Sequence, residues 1–127
     1  FKELGLPELQ IMNADTETNV DVARSRAEKL IADGAQLLVG AFDSGQSTAI
    51  AQVAEQKGIP FVINIAAAPP ITEQGYKFVF RNFPTAIDLT VNGLALIGDL
   101  FPASTVATVV GLTGTAGGIG GFLSSLW

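Results

Sequence analysis

The sequence predicts an α/β fold built on a doubly wound parallel sheet, and three observations carry that prediction. Two short apolar runs without polar alternation, Gln36–Gly40 and Ile59–Ile65, suit strands covered on both faces. They alternate with segments of helical periodicity, Val20–Asp33 and Gln46–Lys57. The connections between them are only a few residues long, as in βαβ units.

Each element has a local reason. Leu9–Ala14 is a partly apolar run that suits a strand, and the polar stretch Asp15–Asn19 turns the chain. Asn19 is placed to cap a helix over Val20–Asp33, with Asp21 favourably sited in its first turn. Val20, Ala23, Ala27, Leu30 and Ile31 share one helical face, Arg24, Glu28 and Lys29 lie off it, and Gly34 supplies the stop. The strand Gln36–Gly40 leads through the loop Ala41–Gly45 into a helix over Gln46–Lys57, which stops at Gly58. Ile59–Ile65 is the next strand and Tyr76–Arg81 a short one. A helix over Ala86–Gly98 follows, and the β-branched run Thr105–Val110 suits a further strand.

Composition narrows the function. The 127 residues are 48% hydrophobic and 15% charged, too apolar for a disordered linker. Seven basic residues against twelve acidic ones leave a net charge of -5, without the basic stripe that nucleic acid requires. No nucleic-acid partner is expected. The chain has no Cys and no His, which removes zinc sites of the usual kind, disulfides, thiolate nucleophiles and the usual neutral-pH general base. No metal or cofactor is expected. Every charged residue lies between Lys2 and Asp99, so residues 1–99 and the uncharged, Gly-rich residues 100–127 are read as separate parts. Phe1 is not a starting Met, and a fragment is expected.

In open parallel sheets, ligands bind beyond the carboxyl ends of the strands, which singles out two loops. In Phe42–Thr48, Ser44 and Ser47 offer hydroxyl donors, Gly45 allows close backbone approach, and the start of a helix favours an anion. Capping of the helix by Ser44 or Ser47 competes with binding here, and one serine can cap while the other binds. In Ile65–Pro70 the small Ala66, Ala67 and Ala68 permit close approach, and the prolines stiffen the exit; an ordinary tight turn is the competing reading. Arg81, set among aromatics, suits a structural ion pair or ring stacking as well as a ligand. The carboxylate pairs Asp15 with Glu17 and Asp43 with Glu73 have no diagnostic spacing. Ser44 lacks both an elbow motif and a His to activate it, so no enzyme is expected.

The ordered set Asp15-Thr-Glu-Thr-Asn19, Ala23–Leu30, Leu38-Val-Gly40, Gly58-Ile-Pro-Phe61 and Ile71–Tyr76 with Phe80-Arg81 resembles the N-terminal lobe of type I periplasmic solute-binding proteins. The likeness is to the branched-chain amino-acid receptors of ABC importers and covers about residues 9–97. It implies one incomplete lobe of a two-lobed fold, with a first strand and helix preceding Phe1. It further implies a periplasmic or extracellular receptor that hands a small carboxylate solute, an amino acid or aromatic acid, to a membrane permease. Closure of two lobes over the ligand belongs to the same picture. By the resemblance, the carboxylate-holding serine falls on Ser44 beside Gly45, a backbone contact falls on Ile65 next to Ala66, and the family's threonine falls on Ala67. Without that hydroxyl the site loses a hydrogen bond of about 1 kcal/mol, which opens it to an aromatic acid. Phe42, Asp43 and Arg81 are possible ligand-lining residues, and Phe42 would suit a ring.

The tail has three readings. Thr105–Val110 can be the strand that crosses toward a second lobe. Thr113–Gly120 fits the T-G-x-x-x-G-x-G pattern of short-chain dehydrogenases, an alternative in which Gly114–Gly120 holds a dinucleotide for an oxidoreductase. Val106–Trp127 is uncharged and long enough to span a bilayer, and with Leu100–Ala103 it resembles a transmembrane helix of major facilitator transporters. On that last reading the tail contacts membrane and is of foreign origin.

Overall fold

The structure, a computed structural model, describes Glu3, Gly5, residues 8–100, Pro102, Thr105 and Thr108. Two units emerge, divided between Thr85 and Ala86. The first opens on helix α1 (Val20–Ala32), one residue shorter than expected. Its cap is Asn19, whose side-chain oxygen accepts from the N–H groups of Asp21 at 2.9 Å and Val22 at 3.1 Å. Ala23 and Ala27 are buried and Leu30 and Ile31 pack against the core, whereas Val20 is exposed, so the expected apolar face is right except at its first position.

Three strands follow, β1 (Leu38–Val39), β2 (Phe61–Ile63) and β3 (Val79–Arg81), hydrogen-bonded in that order and parallel throughout. Leu38 lies opposite Phe61, and Phe61 opposite Val79. Helix α2 (Ser44–Lys57) links β1 to β2 and stops at Gly58, whose φ of +66° is the left-handed value that glycine adopts without strain. A single 3-10 turn, Pro69–Ile71, lies between β2 and β3.

The core is one layer between helices and sheet. Leu38, Phe61, Ile63 and Val79 from the strands meet Ala23 and Ala27 of α1 and Ile50, Ala51, Val53 and Ala54 of α2. The alanines matter because small side chains let the two helices and the sheet approach closely. On the other face of the same strands Val39 is 63% and Phe80 51% exposed. Burial among the described residues is therefore one-sided at these strands, and not two-sided as the apolar runs suggested.

Two elements differ from expectation for a physical reason. Leu9–Ala14 joins no ladder, because strand character needs a neighbour and among the described residues β1 pairs only with β2. A cavity of about 340 Å³ is lined on one side by Met12–Thr16 and on the other by Leu38–Phe42, along the unpaired edge of β1. The second difference concerns Thr105–Val110. Where described, Thr105 and Thr108 are helical, and the Thr105 N–H and hydroxyl both donate to the Pro102 carbonyl, at 2.8 and 2.9 Å. A local turn bond there overrides β-branched preference.

The second unit is described mainly by helix α3 (Ala86–Leu100), which runs two residues beyond the expected end. Among the described residues no helix is long and apolar enough to cross a membrane. The glycine pattern Thr113–Gly120 lies outside the described residues, as does all but Thr108 of the uncharged run Val106–Trp127.

Candidate functional site

Because β1 and β2 are parallel neighbours, their carboxyl ends deliver two loops to the same edge of the sheet. The first turns at Gly40, whose φ of +133° is closed to most side chains, and runs into α2. The second, Asn64–Ala68, runs from β2 to the 3-10 turn. They touch through one bond: the Ala68 N–H donates to Ser44 Oγ at 3.4 Å. With its oxygen accepting from Ala68, the half-buried Ser44 hydroxyl keeps its proton for another acceptor.

The structure separates the two serines that the composition of the loop leaves equivalent. Neither caps α2. Asp43 does, accepting from the Gln46 N–H at 3.0 Å. Ser47 is fully buried and donates to the Ala41 carbonyl at 3.2 Å, which spends its hydroxyl inside the fold. Gly45 has a role nearer than a ligand: a Cβ there would lie 3.0 Å from Asp43 Oδ1 and crowd the cap. Asp43→Ala is accordingly expected to lower stability by about 1 kcal/mol, read as a reduced urea midpoint at unchanged slope.

In the second loop Ile65 is 39% exposed, Ala66 is buried with its carbonyl held by Arg81, and Ala67 is half-buried, so Ile65 and Ala67 are the parts of this stretch that reach the surface. Phe42 is 80% exposed and lines the cavity of about 340 Å³ together with Met12–Thr16. Arg81, at the end of β3 and level with Ile63, directs its guanidinium to the loop: Nη1 donates to the Ala66 carbonyl and Nη2 to that of Ala68, the latter at 2.6 Å. Of the candidates, Ser44, Ile65, Ala66, Ala67 and Arg81 are brought together, and Asp43 is present as the cap.

Sequence reasoning missed Glu55. Its Oε2 accepts from the N–H groups of both Lys77 and Phe78 at 2.9 Å, tying α2 to the start of β3. Only a carboxylate in the last turn of α2 signals it, and such residues usually face solvent. Asp15 and Glu17, weighed as a carboxylate pair, serve a turn: Asp15 accepts from the Glu17 N–H at 2.8 Å, and Glu17 pairs with Arg26 at 3.3 Å. Among the described residues no cluster of three or more metal-ligating side chains occurs. Two cavities, of about 470 and 340 Å³, are lined largely by residues 12–15 and α1, and neither touches Ser44 or residues 65–67.

A sequence profile of the family described as periplasmic binding protein matches residues 5–118. The chain belongs to that family. The match runs past Ile97 and takes in part of the uncharged tail. Among curated proteins, the chain is 32% identical over 81 residues to the Leu/Ile/Val-binding protein homolog 8 of Brucella abortus, covering 58% of this chain and 20% of the relative. It is 34% identical over 55 residues to the leucine-, isoleucine-, valine-, threonine-, and alanine-binding protein of Pseudomonas aeruginosa, covering 43% of this chain and 15% of the relative. The chain thus spans about a fifth or less of the curated relatives it matches. Among solved structures, an ABC transporter substrate-binding protein from Desulfitobacterium hafniense matches with a TM-score of 0.65 at 23% identity, over 71% of this chain and 27% of the other. A second structure of such a protein from that organism, in complex with Leu, gives a TM-score of 0.67 over the same shares at the same identity. These likenesses establish the fold, a partial type I periplasmic binding protein lobe with a parallel sheet.

Proposed function

We propose that this lobe supplies half of a binding site for a small carboxylate-bearing solute, an amino acid or an aromatic acid. On this reading it serves a periplasmic receptor that delivers the solute to the membrane permease of an ABC importer and leaves it chemically unchanged. The observation that carries it is the Ser44 hydroxyl, linked to Ala68 where two neighbouring parallel strands end. A hydroxyl proton, the Ser44 and Gly45 N–H groups that the Asp43 cap leaves over and the backbone of Ile65 and Ala67 make a rim of donors suited to an anion. The names of the relatives, which specify leucine, isoleucine and valine, support an amino acid. The methyl group of Ala67, where the resemblance places a threonine, favours a solute that needs fewer hydrogen bonds at the carboxylate, and the exposed Phe42 ring favours an aromatic acid.

A half-site lacks the contacts and water exclusion of an opposing lobe, so affinity in the isolated chain is expected near the millimolar range, about −4 kcal/mol. Titration of the 15N-labelled chain with L-leucine and with benzoate tests the reading. Amide shifts are expected at Ser44, Gly45 and Ile65–Ala67, and L-leucinamide should produce much smaller ones. Ser44→Ala should weaken the carboxylate response about tenfold, the loss of one hydrogen bond to a charged group. Shifts confined to other parts of the chain, or an unaltered response in Ser44→Ala, would remove the assignment.

A further inference from the structure

We propose that Arg81 is a positioning residue that presets the solute-binding loop, acting through the backbone and not by touching the solute; this rests on the reading of the site given above. The argument starts from peptide planarity. A trans peptide unit holds its C=O and the following N–H in one rigid plane, pointing in opposite directions, so holding either end orients both. Arg81 Nη1 holds the Ala66 carbonyl and therefore sets the plane that carries the Ala67 N–H. Ser44 Oγ holds the Ala68 N–H, which sets the plane carrying the Ala67 carbonyl. Arg81 Nη2 holds the Ala68 carbonyl at 2.6 Å, the plane that enters Pro69. Two side chains thus pin three consecutive peptide planes, in the order Arg81, Ser44, Arg81.

The consequence falls on Ala67. Its N–H has no hydrogen-bond partner in the structure and is turned away from the guanidinium that holds its own plane. A donor left unpaired at a site rim and held in one orientation before binding costs less to use than one that must be ordered by the solute. Only arginine fits this task at position 81. Its planar fork reaches two carbonyls in a fixed geometry, and its place level with Ile63 brings the fork beside the loop that leaves β2. Lysine offers one point charge and can satisfy one carbonyl at a time.

The test compares the wild-type chain with Arg81→Lys and Arg81→Met by 15N relaxation, without solute. The wild-type amides of Ala66–Ala68 should have order parameters near the rigid value of about 0.85. In Arg81→Met those of Ala66 and Ala67 should fall below about 0.6 while Phe61 and Ile63 stay rigid, with Arg81→Lys intermediate. L-leucine titrations should then weaken roughly three- to tenfold in the same order. Loop amides as rigid in both variants as in the wild type would overturn the proposal, and so would β2 and the loop loosening together. Should Arg81→Met fail to fold, Arg81→Lys alone decides between the same outcomes. Loosening of the loop with no leucine response in the wild type would leave the brace standing and remove the solute reading instead.

Discussion

Phe61→Ala is expected to lower the unfolding free energy by about 3–5 kcal/mol, close to the whole stability of a small lobe. Phe61 is 1% exposed in the middle strand, beside Leu38 on one flank and Val79 on the other. Truncating it removes buried apolar surface and leaves a void that the neighbouring alanines of α1 and α2 are too small to fill. Phe80 provides the control one residue along the opposite alternation: it is 51% exposed, and Phe80→Ala should cost less than about 1 kcal/mol. Urea unfolding followed by circular dichroism separates the two. A Phe61→Ala unfolding free energy within about 1 kcal/mol of the wild type would mean that the core is not centred on β2.

Glu55→Ala should be the next largest loss, about 2–3 kcal/mol, despite a partly exposed side chain. One carboxylate oxygen accepts two backbone N–H groups, those of Lys77 and Phe78, both at 2.9 Å. Bonds to a charged acceptor are stronger than neutral ones, and truncation leaves the part-buried Phe78 N–H without a partner. The effect should be local first, because the Phe78 carbonyl accepts from the Phe61 N–H at 2.8 Å and so begins the β2–β3 ladder. Hydrogen exchange is expected to accelerate at Phe61 and along β3 before it does in α1. Glu55→Gln keeps the acceptor without the charge and should lose about half as much. No loss in Glu55→Gln would show that charge contributes nothing at this position, and a loss equal to that of Glu55→Ala would show that a neutral acceptor does not hold the two N–H groups.

These two positions show unequal legibility. Phe61 is marked as core by the apolar run Ile59–Ile65, and burial needs no more than that run to be anticipated. Glu55 carries no such mark, because its partners lie in a segment that only the β2–β3 pairing brings beside α2. The site divides in the same way. Its place at the carboxyl ends of the strands follows from the alternation of elements, and the loop there offers Ser44 and Ser47 alike, of which the resemblance favours Ser44. Burial distinguishes the two serines: Ser47 is buried and donates to Ala41 inside the fold, while the half-buried Ser44 accepts from Ala68 across two loops. The cap passed to Asp43 because the extended backbone at that residue, φ −78° and ψ 138°, brings its carboxylate onto the Gln46 N–H.

From residue order alone came the three helices and several of their ends, since capping by Asn19 and termination at Gly34 and Gly58 act within three or four residues of chain, whereas α2 begins two residues before the expected Gln46 and α3 ends two residues after the expected Gly98. The parallel α/β class came from there too, as did the absence of His and Cys that steers the reading toward binding. Tertiary structure decided which extended runs are strands, for Leu9–Ala14 has the composition of one and no neighbour to bond. It also decided what Arg81 and Glu55 hold, because hydrogen bonds between residues 13 to 23 positions apart depend on strand register, which no local preference encodes.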